Sequence, residues 1–247
     1  MKYRLLSAAI VVLCVLPFAA AQSVIVTPKK VVYKRSARNV PDFKRTFEVR
    51  YPIFSGKLKP AALRRLKSGT DYWRTFETKL ADNLKDDHWL SSFDYVLKYN
   101  KHNILDIWLT MEGVGAYPDG ETKYLVFDTR TGNKVDFPDL FASDRMPNLL
   151  SKIRAVIKRH ESAIKDQEVL ETLESYLETE PEFHPKPDQI EYKDLDFTIG
   201  DKGVTFLYDY NYAHVVQALE PTGEFFLSYP ELKPFIRPEG LLARFVR

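Results

Sequence analysis

Phe93-Asp94-Tyr95-Val96-Leu97-Lys98-Tyr99-Asn100-Lys101-His102-Asn103-Ile104-Leu105-Asp106-Ile107-Trp108-Leu109-Thr110-Met111 is the stretch on which the fold turns. Phe93, Tyr95, Leu97 and Tyr99 alternate along the chain, and Leu105, Ile107, Leu109 and Met111 do so again. A period of two sends successive side chains to opposite faces, so each run reads as a strand half-buried against a core. Asn100 to Asn103 is a polar turn between them, and the whole is an antiparallel hairpin.

Working outward, 46–51 alternates as an earlier strand closed by Pro52 and Gly56, and 122–128 is a third strand after the hairpin. Between hairpin and third strand, Gly113 to Gly120 reads as a loop or wide turn, because its glycines admit backbone conformations other residues resist. Residues 60–66 and 71–84 change to helical spacing, with Tyr72, Trp73, Phe76, Leu80 and Leu84 on one face. Two further helices follow. Leu149, Leu150, Ile153, Val156, Ile157 and Ile164 form the face of one; Val169, Leu170, Leu173, Tyr176 and Leu177 form that of the other. The first is basic and the second acidic, which predicts complementary rims where they pack. Residues 192–199, 204–208 and 224–228 return to strands. Segregated helices and hairpin connections predict α+β, with a mainly antiparallel sheet and helices packed on it.

The 247 residues are 45% hydrophobic and 28% charged, which excludes disorder, collagen and coiled coil. Residues 1–21 read as a secretory signal peptide: Lys2 and Arg4, an apolar run, then Ala19-Ala20-Ala21. Its apolar run is short for a bilayer span and is interrupted by Pro17, so cleavage is expected, with no stable span afterwards. Cleavage removes Lys2, Arg4 and the single cysteine, leaving 34 basic against 34 acidic residues. The expected address is periplasmic or extracellular. Cysteine chemistry is closed, and a neutral chain gives no reason to expect nucleic acid. Residues 22–44, with Lys29, Lys30, Lys34, Arg35, Arg38 and Lys44 against Asp42, read as a basic extended leader; 45–120 and 121–247 read as the two α+β halves of the module.

Catalytic fingerprints are missing: no nucleophile elbow, phosphate loop, dinucleotide glycine motif or His-Glu-x-x-His occurs. The Asp86-Asp87-His88 and Glu182-Phe183-His184 clusters read as polar element ends, so no metal and no cofactor is expected. Tyr208-Asp209-Tyr210-Asn211-Tyr212 puts Tyr208, Tyr210 and Tyr212 on one side of a period-two segment, either as an aromatic contact platform or as the inner side of the final sheet. Tyr117 is a further candidate contact on the Gly113 to Gly120 loop. Glu112 and Asp119, flanking that loop, are the alternative acid/base pair for an enzyme acting on cell-wall glycans.

The order of these motifs resembles the RsiV-like extracytoplasmic domains. The resemblance is carried by Gly113 to Pro118, Phe127-Asp128-Thr129-Arg130-Thr131-Gly132, Leu140-Phe141, the two helices and Ser228-Tyr229-Pro230-Glu231-Leu232-Lys233, over about residue 45 to the C-terminus. Where the family often has His, this chain has Tyr117, and Val114 splits the paired glycine. That family includes the sensor part of an anti-sigma factor that recognises lysozyme and a non-catalytic portion of a peptidoglycan deacetylase. Only Met1 to Arg4 precede the apolar run, so an anti-sigma role is not expected, and no deacetylase segment is seen. The resemblance implies a cell-envelope binding or sensor-type module without enzymatic activity of its own, with peptidoglycan or an envelope protein such as lysozyme as its partner. Steering toward a basic enzyme calls for acidic surface, which in a neutral chain must be a local patch.

Overall fold

The hairpin forms, and the rest of the molecule is built on it, but its first strand departs from strict alternation: a register shift between Leu97 and Tyr99 leaves Leu97 exposed and turns Tyr99 to the core on the face opposite Phe93 and Tyr95. The computed structural model describes residues 24–36, 40–85, 89–115, 117–179 and 186–246. The signal segment, Asp86-Asp87-His88 and Glu182-Phe183-His184 lie outside the described residues. Six strands, β1 (Ile25–Lys34), β2 (Thr46–Ser55), β3 (Leu90–Lys101), β4 (Ile104–Val114), β5 (Pro118–Asp128) and β6 (Asn133–Lys134), form one sheet in sequence order. All neighbours are antiparallel except β2 and β3, which are joined by α1 (Pro60–Gly69), α2 (Tyr72–Thr75) and α3 (Leu80–Lys85) as a crossover. After α4 (Phe137–Leu140), α5 (Met146–Glu161) and α6 (Gln167–Thr179), the strands β7 (Asp196–Ile199), β8 (Gly203–Leu207) and β9 (Glu224–Ser228) make a second antiparallel sheet, closed by α7 (Tyr229–Leu232).

The two faces of the large sheet own two cores. On β4, Leu105, Ile107 and Leu109 point to the first core with Phe93, Tyr72, Phe76 and Leu66 under α1 to α3. Ile104, with Val126 of β5, points to the second core, shared with Leu149, Ile153 and Ile157 of α5 and with Val204, Phe206 and Leu227 of the second sheet. This is why β4 is apolar almost throughout at its start: it is covered on both sides.

Several expectations change at the boundaries. The leader at 22–44 is no free tail, because residues 25–34 pair with β2 along all ten positions. β2 continues through Pro52, which sits directly opposite Pro28 of the edge strand β1. The helix expected over 71–84 breaks between α2 and α3, where Glu77 has φ +50° and Asn83 Nδ2 donates back to Thr78 Oγ1 and Lys79 O at 3.0 and 2.9 Å. His102 and Asn103, at φ +55° and +58°, form the two-residue hairpin turn, narrower than the four residues read from polarity. The Gly113 to Gly120 loop is mostly strand: β4 runs to Val114, β5 starts at Pro118, and the division at 120/121 falls inside β5. Gly113 is required by packing, since a Cβ there would lie 2.1 Å from the Trp89 ring.

Described ion pairs of the basic helix α5 run to Glu231 from Lys152 and to Asp188 from Lys158, both outside α6. Gly132 fixes where α1 crosses the sheet: its φ is +74°, and a Cβ would stand 2.3 Å from the Ala62 carbonyl oxygen. Gly132→Ala is expected to lower stability by about 2 kcal/mol through left-handed strain and a backbone clash. Thermal denaturation checks this; a loss under about 0.5 kcal/mol would mean that α1 gives way freely.

Candidate functional site

A cleft of about 810 Å³ opens between β5 and the second sheet. Gly120, Thr122 and Tyr124 are alternate residues of β5 and share a face; opposite them stand Asp196 of β7, Asp209 just past β8, and Glu220 and Glu224. The lip is made by two segments in close contact: Tyr208 N donates to Gly223 O at 2.9 Å, and a Cβ on Gly223 would meet Tyr208 O at 1.8 Å. Asp209 Oδ1 accepts from Asn211 N at 2.7 Å, which holds Asn211 in the left-handed region at φ +52°.

The cleft lining carries six carboxylates, Glu121, Asp194, Asp196, Asp209, Glu220 and Glu224, against a single cation, Lys123, which is itself ion-paired to Glu121. Burial, then repulsion from Asp209 and the hydrogen bond shared with it, push the Glu220 carboxyl up to about 7, while the Tyr210 and Asn211 backbone N–H groups pull it down. Burial also raises Asp196, against the pull of Lys134 and Lys123, and raises Tyr124, with Asp196, Asp209 and Glu224 adding to the effect. Such a surface accepts N–H and O–H donors and favours positive charge. Among the described residues no group of three or more His, Cys, Asp or Glu is arranged to hold a metal ion.

The cleft is acidic although the chain as a whole carries 36 Lys and Arg against 34 Asp and Glu, because the charges are separated along the sequence. Residues 22–87 carry 16 Lys and Arg against 7 Asp and Glu; residues 88–247 carry 18 against 27.

The sequence-derived candidates fall as follows. Tyr208, Tyr210 and Tyr212 are 5%, 1% and 7% exposed, so they are the inner side of the segment and form no open platform. Tyr210 OH donates to Glu161 Oε1 of α5 at 3.1 Å, and Tyr212 stacks on Tyr176 of α6 at 4.3 Å. Alternation then turns Asp209 and Asn211 outward into the cleft lining. Glu112 and Asp119 border one shallow depression, yet Glu112 is opposite Gly120 and Gly113 is opposite Asp119. Facing residues share a side of the sheet and neighbours alternate, so Glu112 and Asp119 point to opposite faces and do not converge as a pair. Glu112 accepts from Ser92 Oγ at 3.1 Å, and Asp119 Oδ1 from Gly120 N at 2.7 Å. Tyr117 is 64% exposed at the β4–β5 turn and lines neither the depression nor the cleft. Sequence reasoning missed Asp196, Glu220 and Glu224, which come from separate elements; only Asp209 was visible, as the polar partner of the tyrosines.

The sequence matches no family model and no curated protein. Solved structures do resemble it. A DUF3298 family protein from Pseudomonas aeruginosa PAO1 superposes with a TM-score of 0.57 at 14% identity, covering 88% of this chain and 95% of the other. The fold is that of DUF3298 proteins. A second member, from Bacteroides fragilis, superposes with a TM-score of 0.51 at 14% identity, covering 92% of this chain and 98% of its own. At this identity the likeness establishes shared architecture, and DUF3298 is a domain of unknown function. Among the described residues no helix is long and apolar enough to cross a membrane.

Proposed function

We propose that this chain is a periplasmic or extracellular binding module of the bacterial cell envelope, without enzymatic activity of its own, whose acidic cleft docks a cationic envelope protein such as lysozyme. The observation that carries the reading is the concentration of six carboxylates around one already paired lysine in a chain of balanced charge. The compartment and the kind of partner are what the resemblance to RsiV-like domains implies, and the DUF3298 fold is compatible with that reading. Peptidoglycan, the other ligand the resemblance implies, offers fewer cations to such a surface.

Titration calorimetry with lysozyme and with soluble peptidoglycan fragments tests this. The triple variant Asp209→Asn, Glu220→Gln, Glu224→Gln is expected to weaken lysozyme binding about tenfold or more and to flatten its salt dependence. The sign with pH follows from Glu220: as pH falls through about 7 the carboxyl takes up its proton, the cleft loses charge, and affinity for a cation drops. Affinity indifferent to all three substitutions would remove the cleft as the docking site.

A further inference from the structure

The opposite electrostatic pole carries a second groove, of about 430 Å³, between β1, β2 and the α1–α2 junction. Its walls are Tyr33, Tyr51 and Trp73, all half-buried, with Lys29 on one rim and Lys67 on the other. Arg64, one turn before Lys67, lies on the same exposed row of α1, and Arg74 bonds Ser68 beside it at 2.6 Å. Among the described residues Lys29, Arg64 and Lys67 have no carboxylate partner, and α1 contains no acidic residue. The single carboxylate on the groove, Asp71, is spent capping α2, where it accepts from Trp73 N at 3.0 Å.

The polar atoms of the walls form a short chain. Trp73 Nε1 donates to Tyr51 OH at 3.2 Å, and Tyr51 OH and Tyr33 OH are bonded at 3.0 Å. Two hydroxyls share that last bond, so whichever one donates, the hydrogen of the other has no acceptor among the described residues. Stacking on Phe47 at 5.2 Å covers one side of Tyr33, which leaves ring edges and hydroxyls, and not two open ring faces, for a ligand. Bases sandwiched between flat rings would need the open faces. Sugar rings, which carry many hydroxyl donors and acceptors, match ring edges and hydroxyls better, and the rims match acid groups spaced along a chain.

We propose that this groove binds an anionic polysaccharide, its sugar rings against Tyr33, Tyr51 and Trp73 and its acid groups at Lys29, Arg64 and Lys67. The inference is independent of the acidic cleft; together the two give the module one pole for a cationic partner and one for an acidic matrix.

Titration calorimetry at low salt tests it, with polygalacturonate as the probe and neutral dextran, phosphatidylglycerol vesicles and oligo(dT) as comparisons. Polygalacturonate is expected to bind and dextran not to. Lys29→Glu with Lys67→Glu, both at exposed positions, should weaken binding at least tenfold with an unchanged melting temperature, and Tyr33→Phe should weaken it about threefold. Asp209→Asn, in the other pole, should leave it unchanged. Absence of polygalacturonate binding, indifference to the charge reversals, or indifference to Tyr33→Phe would each overturn the proposal. Tighter binding to vesicles or to oligo(dT) would do so too, and would reassign the groove to lipid or nucleic acid.

Discussion

Tyr210→Ala is expected to lower the free energy of unfolding by about 4 kcal/mol, measured by urea denaturation at neutral pH. The ring is 1% exposed and packs edge-on against Tyr208 at 4.8 Å, within the core that α5 shares with the second sheet. Truncation leaves a cavity that Leu149, Ile153 and Ile157, fixed on a helix, can fill only in part. It also strands the Glu161 carboxyl, which burial already raises and the Tyr210 hydroxyl pulls back down. Tyr210→Phe separates these contributions: it keeps the ring, deletes the 3.1 Å bond to Glu161, and should cost roughly 2 kcal/mol, with the Glu161 carboxyl moving further up. A Tyr210→Ala loss below about 1 kcal/mol would return this tyrosine to the surface and with it the aromatic platform.

That same segment shows what sequence can and cannot convey. The alternation of Tyr208 to Tyr212 states that two sides differ, but it is symmetric as to which side is inward; only the position of α5 and α6 decides it. The hairpin at 93–111 was legible because periodicity and turn polarity both point to it, although the register shift between Leu97 and Tyr99 and the narrower turn were not. β1 was not: in an edge strand with Pro28 and Lys29-Lys30 the polar side outweighs the packed one, so it looks like a tail until β2 is placed beside it. The acidic cleft was invisible for a different reason. Asp196 and Glu224 meet by both pairing with Leu207 in the second sheet, Asp209 and Glu220 come from the segment between β8 and β9, and the nearly balanced total hides a basic first third and an acidic remainder. Glu112 and Asp119 illustrate the reverse error, since nearness in sequence around a turn brought them together on paper while the register β4–β5 sends them apart.

Asp106→Ala should destabilise by about 4 kcal/mol at pH 4.5 and by much less at pH 7.5, an inversion of the usual expectation for a buried carboxylate. Asp106 is 0% exposed on β4, and its Oδ2 accepts from Thr198 Oγ1 at 2.5 Å and from Ile199 N at 2.7 Å, so it fastens β7 of the second sheet to the centre of the first. Removing it orphans a half-buried hydroxyl and a buried backbone N–H, the latter worth roughly 1–3 kcal/mol, and opens a small cavity. Against this stands the charge. Burial pushes the Asp106 carboxyl up to about 6 from 3.8; the bonds from Thr198 and Ile199, then Lys98 and Trp108, oppose the shift without cancelling it, and Oδ1 has no partner of good geometry among the described residues. A carboxyl whose pKa is raised on folding binds its proton more tightly in the native state. Its contribution is therefore complete below about pH 4 and is lost as pH rises through about 6, a difference of about 3 kcal/mol. The alanine variant has no such loss, so the gap between it and the native chain narrows by about 2 kcal/mol on going from pH 4.5, already above the unfolded value, to pH 7.5. Asp106→Asn, which keeps an acceptor for Thr198 and Ile199 and cannot ionise, should remove the pH dependence while retaining most of the stability. Paired denaturation curves of the three proteins at the two pH values decide it: a cost of Asp106→Ala that stays the same at both would mean that the carboxylate is ionised throughout and that the latch between the sheets is a charged one.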